Sequence, residues 1–184
     1  MKKTPDGTLP LDVSSLRVIR LATPDLPEAA RVIRESFSTV VRDLGLTREA
    51  WPTHPGFMTT EGLESFYYAR QMYGLFEGTA MIGYMALSEY DDRTLQLRHL
   101  CILPHRRGLG LGRLMMDHAK AEAVACIGHP PTIDSPHLAL AFIDVDTGLR
   151  GWFEKQGFAY WGRLRQGRLP YAYGWMEWQE KPTR

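Results

Sequence analysis

Apolar and polar residues follow two rhythms along this chain, and the switches between them mark its elements. LRVIRLA (16–22) sets Leu16, Val18 and Arg20 against Arg17, Ile19 and Leu21, a β-branched alternation that predicts a first strand. The step then lengthens. Ala30, Ile33, Phe37, Val40, Val41 and Leu44 recur every three or four residues, with Thr23 or Asp25 as cap, Pro27 in the first turn and Gly45 as stop. TTEGLESFYYARQM (59–72) reads as a second helix. YGLFEG and AMIGYMALSEY are two apolar strands joined by a Glu77-Gly78-Thr79 turn, and TLQLRHLCIL (94–103) is a third after a turn at Asp91-Asp92-Arg93.

The strongest helical signal is 108–128, where Leu111, Leu114, Met115, His118, Ala119 and Glu122 keep helical spacing. LALAFID (138–144) is a continuous apolar run of the kind a buried strand shows. TGLRGWFEKQGF predicts a short helix stopped at Gly157, and AYWGRL and YAYGWMEW are two aromatic strands around an Arg-Gln-Gly-Arg turn. The order β-α-α-β-β-β-α-β-α-β-β is that of one α/β domain with a mixed sheet. It is expected over 16–184, with a polar, disordered segment at 1–15.

Charge narrows the partners. Lys+Arg number 22 against 21 Asp+Glu, a net charge of +1 that gives no general pull toward nucleic acid or a membrane surface. No recognition-helix or RNA-binding motif is present, so no nucleic-acid partner is expected. No apolar run is long enough to span a bilayer, and MKKTPDGTLPLDVSS has no apolar stretch of signal-peptide type, so a cytoplasmic location is expected. Cys101 and Cys126 both sit in apolar contexts and read as reduced, buried thiols. The six histidines have no Cys or His partner at ligand spacing, so no metal is expected.

Between strand and helix stands PHRRGLGLGRLMM (104–116). Helix N-termini leave their first N–H groups unpaired and bind anions, and glycine removes the Cβ that would hold a phosphate away. Arg106 and Arg107 offer charge-assisted hydrogen bonds. A Walker A loop would need Gly-Lys-Ser/Thr, and a dinucleotide fingerprint would need G-x-G-x-x-G; neither is present. Arg107-Gly108-Leu109-Gly110-Leu111-Gly112 instead resembles the Arg/Gln-x-x-Gly-x-Gly/Ala turn of the GNAT superfamily of acyl-CoA-dependent N-acyltransferases. The preceding LCILP, the following helix and WFEKQGF (152–158) resemble that family's strand, helix and second signature, with Asp146 seven residues before Phe153 where an Asn often sits.

The resemblance implies a mixed, mostly antiparallel central sheet flanked by helices, and acetyl-CoA as co-substrate. Backbone N–H groups from Arg107 to Gly112 would hold the pyrophosphate, with Arg106 flanking. Cys101, Ile102 and Leu103 would place main-chain groups beside the thioester, one N–H polarising its carbonyl. A primary amine of a small molecule or peptide would attack directly, so Cys101 need be no nucleophile. The family's frequent thiolate acid is a Tyr where this chain has Phe153, which leaves Tyr84, Tyr160 or water for that role. His99 is the candidate base, and His54 in WPTHP a candidate on the acceptor side.

Arg163, Arg165 and Arg168 around the last hairpin would attract an acidic acceptor or form a solvated tip, and the aromatic residues Tyr160, Trp161, Tyr171, Tyr173, Trp175 and Trp178 would line a slot or a dimer contact. An exposed last strand would make a homodimer natural. The competing reading, prompted by Phe153, is a non-catalytic acyl-CoA-binding or sensing module.

Overall fold

A computed structural model describes residues 11–91, 93–127, 138–165 and 169–178. The strands are β1 (Leu16–Arg20), β2 (Gln71–Glu77), β3 (Ala80–Asp91), β4 (Thr94–Ile102), β5 (Leu138–Ile143), β6 (Phe158–Leu164) and β7 (Tyr173–Trp178). The helices are α1 (Leu26–Asp43), α2 (Thr60–Glu64), α3 (Leu111–Ile127) and α4 (Thr147–Lys155). Their order along the chain is the one the apolar rhythms predict.

The strands form one seven-stranded sheet in the order β1-β2-β3-β4-β5-β7-β6. Every pairing is antiparallel except β4 with β5. That exception shapes the molecule. β4 and β5 are bridged only from Leu95↔Leu138 to Leu97↔Leu140. Beyond them β4 stays with β3 and β5 stays with β7, so a gap opens in the middle of the sheet.

Helices cover both faces. Gly83 points at the Met115 sulfur of α3, so its sheet neighbour Tyr84 points to the opposite face, where Ser36 of α1 lies against Cys101. α1 buries Leu26, Ala29, Ala30, Val32, Ile33 and Ser36. α3 buries Leu111, Met115, Met116, Ala119 and Ala123. Burying each of the larger of these apolar side chains contributes about 1.5–3 kcal/mol.

Several sequence expectations are corrected. The helix expected over 59–72 keeps only five residues in α2, because Met72 and Gln71 pair across to Ala86 and Leu87 as strand. Leu114, assigned to the apolar stripe, is 41% exposed. Cys126 is exposed on α3, while Cys101 is buried. Residues 13–15, expected within a disordered segment, form a 3-10 turn capped by Asp12, whose N–H donates to Glu77 Oε1 at 2.9 Å. The last strand, β7, is internal; β1 and β6 are the sheet edges. Residues 1–10 and 128–137 lie outside the described residues.

Candidate active site

The gap between β4 and β5 begins at a β-bulge. Tyr84↔Cys101 and Ala86↔Arg98 are consecutive pairings on one face, so β4 carries an extra residue there. His99 absorbs it with φ +53, the one non-glycine residue with positive φ among those described. Leu103 N–H donates to the Ile82 carbonyl, which makes Leu103 and Cys101 the residues bonded to β3. Ile102 therefore turns its main-chain groups toward the gap.

The strand ends in the glycine turn. Gly108 and Gly110 have φ +78 and +79, left-handed conformations that cost other residues about 1–2 kcal/mol. No protein atom occupies the space where a Cβ on either would sit. The first helical bond of α3 runs from Leu114 N–H to the Gly110 carbonyl, so the N–H groups of residues 108–113 have no backbone partner among the described residues. A row of free donors at a helix N-terminus, with open space before it, fits a phosphate-bearing ligand. Gly112 has a different reason. A Cβ there would meet the indole of Trp152 at 3.4 Å, an ordinary contact, so the position packs close to α4 with room for a methyl and no more.

Both arginines of the turn are committed to protein partners. Arg106 pairs with Glu77 at 2.6 Å, both side chains largely buried. Arg107 donates from Nε to the Ile102 carbonyl at 3.1 Å, from Nη1 to Thr39 Oγ1 at 3.1 Å, and from Nη2 to the Ser36 carbonyl. The expectation that these guanidiniums reach phosphate is thus replaced by an anchoring role: they tie the turn to β2, β4 and α1. Ser36 is buried on α1, and its carbonyl accepts both from Thr39 Oγ1 at 3.3 Å and from Arg107 Nη2.

Across the gap, Asp146 caps α4 by accepting from Leu149 N–H at 2.8 Å. Phe153 is buried beside Phe142, Trp152 and Phe158, and presents no hydroxyl. The turn, the gap and the segment between α1 and β2 enclose one cleft of about 1740 Å³. Of the residues expected at the cofactor, Cys101, Ile102, Arg106, Arg107, Gly108, Gly110, Leu111, Gly112, Asp146 and Phe153 line this cleft; Leu103 is buried behind it, and Leu109 points to solvent.

At the far end lie His54 and His99. Phe37 stands edge-on to both rings, at 5.8 and 6.4 Å between centroids. His54 Nδ1 accepts from Gly56 N–H, which assigns the proton of the neutral ring to Nε2. Burial pulls His54 down to about 4. Burial first, then the charges of Arg70 and Arg98 and the neighbouring His54, pulls His99 down to about 3. Both rings are neutral at physiological pH, and His99 is too weak a base to take a proton from an ammonium efficiently.

The acid candidates sit elsewhere. Neither Tyr84 nor Tyr160 lines the cleft. Tyr84 is buried in the sheet, with no hydrogen-bond partner for its hydroxyl among the described residues, and burial holds that hydroxyl protonated. Tyr160 donates to Asp144 Oδ1 at 2.8 Å and lies under the Arg150 guanidinium. Arg163 is held by Asp144 at 2.5 Å, which removes it from the acceptor; Arg165 lines the cleft and Arg168 lies outside the described residues. Cys101 is pushed up to about 12 by burial, an inert thiol.

Two cleft residues escaped the sequence reading, Arg70 and Arg98, whereas Tyr173 and Trp175 of the expected aromatic slot do line the cleft. The signal for Arg98 was a charge inside the otherwise apolar TLQLRHLCIL strand. Arg70 was hidden by the misplaced helix end.

The comparisons agree with this geometry. The acetyltransferase (GNAT) domain family matches residues 65–160, just over half of the 184-residue chain. The chain belongs to the GNAT acetyltransferase family. Among similar solved structures is the PaiA N-acetyltransferase of Thermoplasma acidophilum in complex with coenzyme A, 17% identical with a TM-score of 0.69 over 90% of this chain and 99% of that one. The spermidine N-acetyltransferase of Vibrio cholerae, in complex with CoA and spermine, is 17% identical with a TM-score of 0.62 over 89% and 95%. An acetyltransferase of Thermus thermophilus is 19% identical, with a TM-score of 0.62 over 88% and 96%. At such identities the likeness concerns the fold. A comparison with curated proteins finds no match.

Proposed function

We propose that this protein is an acetyl-CoA-dependent N-acetyltransferase acting on a primary amine of a small molecule or peptide. The observation that carries the reading is the continuous path from the bulge at His99, along the β4–β5 gap, to the open N–H groups at 108–113. The donors at 108–113 would bind the pyrophosphate of acetyl-CoA. Ile102, whose N–H faces the gap, would polarise the thioester carbonyl as negative charge develops on its oxygen. The neutral amine attacks the carbonyl carbon: a C–N bond forms, the C–S bond breaks, and the amine proton passes to solvent while CoA leaves as thiolate and is protonated there. Thiols have pKa values near 8.5, so this departure proceeds without a protein acid. His99 would orient the amine as a hydrogen-bond acceptor instead of removing its proton. Release of free thiol from acetyl-CoA, measured over a panel of primary amines, tests the proposal; thiol and the N-acetyl amine should appear in equal amounts.

Phe153 favours a second reading, an acyl-CoA-binding module without turnover, because the side chain offers no proton to a leaving thiolate. If acetyl-CoA binds tightly and neither the native chain nor Phe153→Tyr releases thiol with any amine, that reading replaces the first.

A further inference from the structure

The cleft as a whole has an unbalanced charge: among the described residues that line it, seven arginines, Arg70 and Arg98 among them, stand against two aspartates, Asp43 and Asp146. The two aspartates are occupied, Asp43 by Arg42 and Asp146 by the start of α4. Arg106 and Arg107 are spent on the turn. Arg70 and Arg98 form no ion pair among the described residues, although both are partly buried.

Arg70 lies over the Phe66 ring, 3.9 Å from its centroid, and its Nη1 is buried with no hydrogen-bond partner among the described residues. Arg98 is steadied by a 2.8 Å bond from Nε to Ser88 Oγ, with Tyr173 facing it. The two guanidiniums repel each other: burial, then Arg98, brings Arg70 down to about 10. One further buried atom in the cleft lining near Arg70, His99 Nδ1, is also without a partner among the described residues. Two orphaned polar atoms beside two neighbouring cations are costly in a folded protein unless a ligand completes them. Like-charged guanidiniums lining one cleft call for an oxyanion beside them.

We infer that the acceptor is a small primary amine bearing a carboxylate or phosphate, held by Arg70 and Arg98 so that its amine meets the thioester beside the His99 bulge. This rests on the N-acetyltransferase reading and narrows its substrate class. A polycation such as a polyamine is disfavoured, because the described lining offers it no free carboxylate. Burial is the main reason His99 stays neutral, and bound oxyanion charge would offset only the smaller push from Arg70 and Arg98.

The test compares matched acceptors with the full chain at saturating acetyl-CoA: glycine with glycinamide, β-alanine with β-alaninamide, 2-aminoethyl phosphate with ethanolamine, and spermidine alone. The anionic member of a pair should be preferred in kcat/KM by about tenfold or more, the carboxylate and phosphate arms telling the two oxyanions apart. Arg70→Gln and Arg98→Gln should each raise KM for that acceptor about ten- to hundredfold, with acetyl-CoA affinity unchanged. Arg31→Gln, which removes the same charge away from the cleft, should do nothing.

Melting temperatures separate loss of binding from loss of folding, and both cleft variants should hold or gain stability as an unpaired cation is removed. Equal or better turnover of amides or spermidine overturns the inference while leaving the N-acetyltransferase reading intact. If no amine releases thiol, calorimetric binding of the anionic probes to the CoA complex decides: uptake of the acid but not its amide supports the site, and uptake of neither overturns it.

Discussion

Replacing Arg107 by Met separates an anchoring arginine from a phosphate-binding one. The native guanidinium makes three hydrogen bonds, to the Ile102 carbonyl, Thr39 Oγ1 and the Ser36 carbonyl. Methionine keeps most of the apolar stem and removes all three. At roughly 1 kcal/mol per bond, somewhat more for a charged donor, the loss is about 2–4 kcal/mol. For a chain of this size that is a fall in melting temperature of about 5–15 °C. Arg107→Lys should recover little, since one ammonium cannot span three separated acceptors. Scanning calorimetry gives the stability, and a titration with acetyl-CoA gives the affinity. A variant with unchanged melting temperature and a collapse in acetyl-CoA affinity would refute the anchoring role and return Arg107 to the phosphates.

Other consequences follow from single contacts. Gly112→Ala should be tolerated, its methyl meeting Trp152 at ordinary contact distance, whereas Gly112→Leu should displace the indole and weaken acetyl-CoA binding. Asp146→Ala removes the cap of α4 and should cost about 0.5–2 kcal/mol in denaturant unfolding. His54 is held down to about 4 in the folded chain against about 6.5 unfolded, so the unfolded state binds more protons between those values. Stability from this group is therefore full above about pH 6.5 and falls as the pH drops toward about 4. Melting temperatures across that range should show it, and His54→Gln should flatten the slope.

The order of elements was legible because most of them carry one clear apolar period, from LRVIRLA to YGWMEW. The cradle was legible because glycine in a helix start has few other uses. What escaped depends on pairing across the sheet. YYARQM has no period that separates helix from strand, and its strand character comes from Met72 and Gln71 facing Ala86 and Leu87. The bulge at His99 is a register difference between β3 and β4, invisible in either strand alone. The arginines of the turn read as phosphate ligands because Glu77 and the Ser36 carbonyl, their partners, lie 29 and 71 residues away. Phe153, by contrast, was read correctly as lacking a hydroxyl, and in the fold its ring packs against Phe142, Trp152 and Phe158.

The account stands most directly on acetyl-CoA occupying the turn at 108–113. Titration calorimetry of acetyl-CoA into the native protein and into Gly110→Trp measures this, with melting temperature read in parallel. The indole would project into the open space before the free N–H groups. Saturable one-to-one binding to the native chain, lost in a variant that still unfolds cooperatively, is the predicted result. Equal affinity in both proteins would contradict the account.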